Sequence, residues 1–336
     1  MRESMLVIQP VDIGRDLRRD IDIVAASTLD DTVMCLPVAL ALLGCGRFDR
    51  VASLLRRARP APTLPLTLGR YVAWSGDLHT AAAAWQHVRA SLPPLTAAIR
   101  DNDPDDTTVI LAAAGFQAIA QTATDLGDPR LAATILPHAR AARVLAAGRR
   151  LSPDAARLAA ALRITTPPIA LAAGTDASAM DTDAPATDSN APTIRDAVTA
   201  AEPTAAALRI LDLCDVALGL DPDATRHRLR LRPRVLPGVS RLEVRNIGFG
   251  DGTISLLCQW APDRMVFTIA QDSGAIPATA LLEPVLAGGF GRALVDDMTA
   301  DLQPRSEGDS MILPVQLVLD AERVLVVELT DERPPT

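Results

Sequence analysis

Lysine is absent from the sequence: all thirty-three basic residues are arginine, a bias of genome composition rather than of function. Aromatic residues are nearly as scarce, with one Tyr, three Trp and five Phe among 336 residues. Ala, Leu and Val must therefore build most of the core. Positive charge is not in surplus either. The net charge of -8 excludes a general nucleic-acid binder, which needs a basic footprint. The four cysteines, Cys35, Cys45, Cys214 and Cys258, form no CxxC pair, and no histidine stands at zinc-ligand spacing. All four lie in apolar stretches, so buried free thiols are expected, with no metal and no cofactor. No stretch reaches the ~18 continuous apolar residues of a membrane span. The opening MRESMLVIQPVDIGRD has too short an apolar run for a signal peptide. The expectation is a soluble cytoplasmic protein with neither nucleic acid nor membrane as partner. His79, His87, His138 and His227 are scattered, and there is no nucleophile elbow, P-loop or GxGxxG.

What is present falls into zones. Residues 1–28 are an N-terminal segment. From 29 to 172 apolar residues recur at helical spacing between turn signals, which predicts helical hairpins in succession. Gly44 and Gly46 mark one turn before Phe48-Asp49 begins a helix. Ser75-Gly76-Asp77 marks the next, and Gly127-Asp128-Pro129 another. In the last, glycine suits the residue after a helix, aspartate the N-cap and proline the first turn. Residues 173–193, rich in Asp, Ala, Thr, Ser and Pro, read as a flexible acidic insert that cannot bury enough apolar surface to order itself. Residues 194–220 carry the last helices. Over 221–332 the pattern changes to alternation. RLRLRPRVL, RLEVRNIGFGDGTISLLCQW, RMVFTIAQ, ATALLEPVL, SMILPVQLVLD and RVLVVELT read as strands of an antiparallel β-sandwich. Asp251-Gly252 is a type I′ hairpin signal.

Four passages, in this order, resemble the six-hairpin (α/α)6 glycosidases, and among them the glycogen-debranching, amylo-α-1,6-glucosidase type. They are DTVMCLPVALALLGCGRFDRVASLL from Asp31, RYVAWSGD with the following Trp85, FQAIAQTATDLGDPRLAATILPHA, and LGLDPDATRHRLRLRPRVLPGVSRLEVRNIGFGDGTISL. The resemblance implies a fold that is mainly α with a β domain: a helical-hairpin toroid, incomplete here because the helical zone is short, followed by an antiparallel β-sandwich. It also implies an α-glucan ligand and a pair of carboxylates flanking the scissile bond. Here the chain departs from the pattern. The loop that would carry the acid is replaced by SLPPLTAAIRDNDPDDTT, which has no Trp and no Gly. Near Ala201-Glu202-Pro203-Thr204 the family's Trp is missing and Pro203 has entered.

The candidate catalytic residues are Asp105, Asp106 and Glu202, and the candidate substrate contacts are Asp30, Asp31, Thr32 and Trp74. Each has a plainer alternative. Asp30, Asp31 and Thr32 can cap a helix instead of holding a sugar hydroxyl. DNDPDD, Asp101 to Asp106, can be a relic acid loop, a calcium loop or a solvated loop ending in an N-cap. Glu202 can be a first-turn acid favoured by the helix dipole. Trp74 lies in a helical pattern where core packing is the alternative. Arg226, Arg228, Arg230, Arg232 and Arg234 share one face of a strand. They suit either an anionic ligand or a charged edge that resists pairing. Three functions follow: a catalytically degenerate glycosidase-like protein (a pseudoenzyme) with a carbohydrate-binding or scaffolding role, an active α-glucoside hydrolase, and a helical-hairpin protein-interaction module.

Overall fold

The computed structural model describes residues 7–9, 19–24, 36–100, 104–151, 159, 162, 206–208, 210–235, 239–286, 288–307 and 310–330. Asp30, Asp31, Thr32, Cys35, Asp101 to Asp103, the acidic insert and Glu202 lie outside the described residues.

Helical residues 19–24 form α1. Six helices then alternate along the chain: α2 (Leu36–Gly44), α3 (Phe48–Arg57), α4 (Leu64–Ser75), α5 (Leu78–Ala98), α6 (Asp106–Asp125) and α7 (Pro129–Ala147). A last helix, α8, is described at 206–208 and 210–217, and its end, Asp212–Ala217, is wound as a π-helix. The alternation has a packing cause. Eight of the nine residues of α2 are buried, and α4 is nearly as enclosed. A helix apolar all round has to be covered on every side. In α3 only Val51, Ala52 and Leu55 are buried, and in α7 only one alanine-rich stripe. So α2 packs on α4 and α4 on α6 as an inner row, while α3, α5 and α7 cover it from outside. This is the helical-hairpin arrangement the apolar periodicity implied.

The turns use the expected residues. Gly76 closes α4 in the left-handed region (φ 69°), and the Asp77 side chain caps α5 by accepting from Thr80 N. Tyr71 Oη donates to the other oxygen of Asp77 at 2.7 Å. Burial and this donated bond push the Tyr71 hydroxyl up to about 12. Burial works against the Asp77 charge, but the bonds from Tyr71 and Thr80 outweigh it and leave the carboxyl below its usual range. At Gly127-Asp128-Pro129 the Asp128 side chain accepts from Leu131 N and Pro129 opens α7. One expectation is corrected here: SLPPLTAA is not loop. α5 runs on through Pro93 and Pro94 to Ala98. Leu95 is fully buried, and Ala61 N donates to Ser91 Oγ just before the prolines. Packing therefore offsets the two backbone bonds that the prolines remove.

Gly69 sets the spacing of the inner row. A Cβ placed there would stand 2.4 Å from Ala118 Cβ on α6. Glycine costs helix stability in isolation, so its presence in α4 reflects that close approach.

The C-terminal strands form two main sheets. β1 (Val7–Gln9), β4 (Arg241–Phe249), β5 (Gly252–Trp260), β6 (Arg264–Ser273), β13 (Arg323–Thr330), β8 (Gly289–Val295) and β9 (Met298–Ala300) lie in that spatial order. The second sheet is β12 (Val315–Val318), β7 (Thr279–Leu282), β3 (Arg228–Leu231) and β2 (Asp221–Asp223). A small ribbon of β10 (Arg305–Glu307) and β11 (Ser310–Ile312) joins them. The pairings are antiparallel except for β3 with β7, which is parallel. Three details correct the sequence reading. The arginine-rich run is a strand only over Arg228–Leu231, and Arg226 belongs to a 3-10 turn. That strand is interior rather than an edge, since β2 and β7 flank it. The β4–β5 turn is Gly250-Asp251, not Asp251-Gly252, because Phe249 pairs with Gly252. Gly250 supplies the positive φ of 59°. Gly252 is a strand residue that stays glycine because a Cβ would meet Ser273 O at 2.0 Å.

The two halves share one continuous core. Gly250 N donates to Trp74 O at 2.9 Å across the junction, and Arg226 bridges to Asp125 at 3.0 Å. Cys45, Cys214 and Cys258 are buried free thiols; burial, opposed weakly by Arg47, pushes Cys45 up to about 12. No described helix is long and apolar enough to cross a membrane.

Two stability predictions follow from this packing. Gly69→Ala should destabilise by about 1–3 kcal/mol in urea titrations, because overpacking outweighs the helix-propensity gain of about 1 kcal/mol. Asp77→Ala should cost about 2 kcal/mol, combining a lost cap with an unpaired Tyr71 hydroxyl. Adding Tyr71→Phe should recover part of that loss.

Candidate functional site

A cleft of about 1010 Å³ opens between the inner helices and the second sheet. One wall comes from α4 and α6. Small residues, Gly69, Ala73, Ala114 and Ala118, form its apolar part, and Arg70, Gln117, Gln121 and Asp125 its polar part. The opposite wall is the arginine strand and its continuation. Leu229, Leu231 and Pro233 are buried on one side, so the period of two turns Arg228, Arg230, Arg232 and Arg234 to the other, and all four line the cleft. Backbone bonds from Arg232 N to Leu218 O and from Arg234 N to Ala217 O, both 2.9 Å, continue the extended path past the strand. The shared face was legible in the sequence; what it faces was not.

The middle of this stripe is already ion-paired. Glu283, only 2% exposed, accepts from Arg230 at 2.7 Å, Arg232 at 3.1 Å and Arg305 at 2.9 Å. Arg232 reaches on to Glu307 at 2.8 Å. Burial disfavours the Glu283 charge, but the bonds from Arg230 and Arg232 outweigh it and hold the carboxyl below its usual range. Glu307 is held low by its bond from Arg232. Asp125 and Asp223 are both paired to Arg226, each at 3.0 Å. Among the described residues, Arg70, Arg143, Arg228 and Arg234 line the same cleft with no ion pair.

The sequence candidates lie elsewhere. Asp105 caps α6: its oxygens accept from Thr108 N at 2.9 Å and from Thr108 Oγ1 at 2.5 Å. The bond from the Thr108 hydroxyl, with the backbone bond, lowers its pKa. Asp106, in the first turn, pairs with Arg149 at 3.2 Å. Of the readings of DNDPDD, the described part is the N-cap. Neither residue lines the cleft. They sit at the start of α6, and its far end, Asp125, lies about 28 Å away along the helix at 1.5 Å per residue. Trp74 is 5% exposed within the core. It borders a cavity of about 10 Å³ with Leu40, Leu211 and Cys214, room for about one water. Its ring is packed and offers no open face for stacking. Among the described residues no group of three or more His, Cys, Asp or Glu is arranged to hold a metal.

Arg70 and Arg143 were not among the candidates. Arg70 had a signal: it is the single charged residue of α4, LPLTLGRYVAWS, and a lone charge in an enclosed helix has to reach solvent or a partner. Arg143, one arginine among several on α7, had none.

Glu283→Gln should destabilise by about 2–4 kcal/mol at neutral pH, a buried-pair penalty discounted for the partly exposed arginines. A native carboxyl held below its unfolded value of 4.5 stabilises above that value. That contribution is lost as pH falls through the lower native value. Denaturant titrations from about pH 6 to about pH 3 should therefore show a steeper loss in the parent than in Glu283→Gln.

No protein-family model and no curated protein matches the sequence. Among solved structures, that of α-L-rhamnosidase from Dictyoglumus thermophilum is similar over 97% of this chain, with a TM-score of 0.61 and 11% identity. The match covers 50% of the rhamnosidase chain, so this protein spans about half the length of the enzyme it resembles. At that identity the likeness is one of fold. The chain shares that architecture, helical hairpins followed by β sheets.

Proposed function

We propose that the protein is a non-hydrolytic, degenerate relative of the glycogen-debranching-type glycosidases, with a carbohydrate-binding role at the cleft between its helical and β halves. The observation that carries this reading is the state of the carboxylates. Glycoside hydrolysis needs one carboxyl kept protonated and a second one ionised across the scissile bond. At the cleft, Glu307 is held below its usual range by its bond from Arg232, Asp125 and Asp223 are ion-paired to Arg226, and Asp215 and Asp221 line the same space. Asp105, the acid candidate, has a lowered rather than a raised pKa and serves as a helix cap. Among the described residues no aromatic side chain lines the cleft, so a saccharide there would be held by hydrogen bonds and charge rather than by ring stacking.

The reading is tested by incubating the full chain with α-glucans and aryl α-glycosides, aryl rhamnoside included, and measuring sugar release. The expected result is no release above buffer, together with saturable glycan binding. Hydrolysis abolished by Asp31→Asn, Asp106→Asn or Glu202→Gln would establish the hydrolase reading instead.

A further inference from the structure

We infer that the cleft binds an anionic oligosaccharide, one carrying repeated carboxylate or sulfate groups, through Arg70, Arg143, Arg228 and Arg234. This rests on the reading of the protein as a saccharide binder and goes beyond it by naming the ligand's charge.

The charge pattern carries the inference. In a protein of net charge -8, unpaired arginines are expected to be scarce in any one concavity, because acidic partners are in excess. Yet among the described residues four arginines without an ion pair line one cleft, although Asp125, Asp215, Asp221, Asp223 and Glu307 line it too. They come from both walls: Arg70 from α4, Arg143 from α7, and Arg228 and Arg234 from the strand side. A stripe serving only to reinforce the second sheet would be neutralised along its length. Here the ion pairing stops at Arg230 and Arg232, which share Glu283 and Glu307 with Arg305. The two ends are left free.

Spacing and volume set the size of the ligand. Arg228 and Arg234 are six residues apart on an extended path, about 20 Å at 3.3 Å per residue. No single phosphate or carboxylate reaches both. A linear ligand with anions at intervals does. The volume of about 1010 Å³ is at the upper end for a small-molecule site, where pockets run from about 300 to about 1,000 Å³. Gly69, Ala73, Ala114 and Ala118 let such a chain lie close to the helices. Gln117 and Gln121 offer amides to its hydroxyl groups. Guanidinium forks match carboxylate and sulfate oxygens in pairs, with more directional specificity than an ammonium group.

The test is fluorescence anisotropy of the full chain with three end-labelled hexasaccharides: a galacturonate, a sulfated glycosaminoglycan fragment, and neutral maltohexaose. At least one acidic hexamer should bind roughly tenfold or more tighter than maltohexaose, and rising salt should weaken it. Which one binds identifies carboxylate or sulfate as the recognised group. Arg228→Ala/Arg234→Ala should weaken acidic binding roughly tenfold. Arg143→Ala, on another element, should weaken it in the same direction. Arg292→Ala, which breaks an exposed pair with Glu328 outside the cleft, should change nothing, and thermal melts should confirm that all variants fold. Equal binding of neutral and acidic hexamers would overturn the inference while leaving the saccharide reading standing. Binding of no saccharide would overturn both. Acidic binding untouched by the cleft variants, or lowered equally by Arg292→Ala, would overturn the site. A single-stranded oligonucleotide bound more tightly than either acidic hexamer would replace the saccharide as ligand.

Discussion

Glu283 is the constraint on which the functional half of the structure depends. It stands at the end of β7, out of water, and a carboxylate in that position has to be met by positive charge. Meeting it fixes three things together. Arg230 is drawn onto it from β3, the strand paired parallel to β7. Arg232 is held over the sheet although it lies beyond the strand, and Arg305 draws the β10–β11 ribbon onto the same point. The same ion pairs divide the arginine stripe into a saturated centre and unsaturated ends, so one buried charge both braces the sheet and patterns the cleft wall.

The helical half obeys a different rule. Its inner row is rich in Leu, Val, Ala and Gly, residues that carry no chemistry, and its polar side chains Arg70, Gln117, Gln121 and Asp125 are at the cleft. With so few aromatics in the sequence, those present are used as filler. Phe116 is fully buried, and Tyr71 and Trp74 nearly so. Polar function has therefore been displaced to the junction, where α4 and α6 meet the second sheet. That is consistent with a fold shared with a glycosidase over half that enzyme's length, because a fold constrains architecture and leaves chemistry to the site.

Legibility in the sequence followed the range of the interactions. Helix hairpins and their caps are local: Asp128 caps where spacing and residue type place it, DNDPDD ends in the N-cap Asp105, and the Ser75-Gly76-Asp77 turn supplies the cap Asp77. The alternation of Arg228 to Arg234 with Leu229, Leu231 and Pro233 is also local, so the shared face could be read directly. Its surroundings are not local. That β3 is interior depends on β7, some fifty residues on. That Arg226 closes onto Asp125 depends on a contact across the whole acidic insert. The Gly250-Asp251 turn was misplaced by one residue because Gly252 was read as a turn residue, while its smallness answers the approach of Ser273 O. The sequence puts SLPPLTAA in a loop because tertiary burial of Leu95 is invisible along the chain. Asp105 and Asp106 have the right side chains for catalysis but are committed to α6 and Arg149.

The pairing of β1 with β4 joins Val7 to Arg245. The helical hairpins are thus enclosed, in topology, between two neighbouring strands of one sheet. Such a contact adds heavily to contact order and is slow to form. During synthesis on the ribosome the hairpins can assemble from local contacts while β1 waits for its partner. The free edge of β4 stays open to other chains until then. Closure of that edge fastens the start of the chain to the C-terminal sheet.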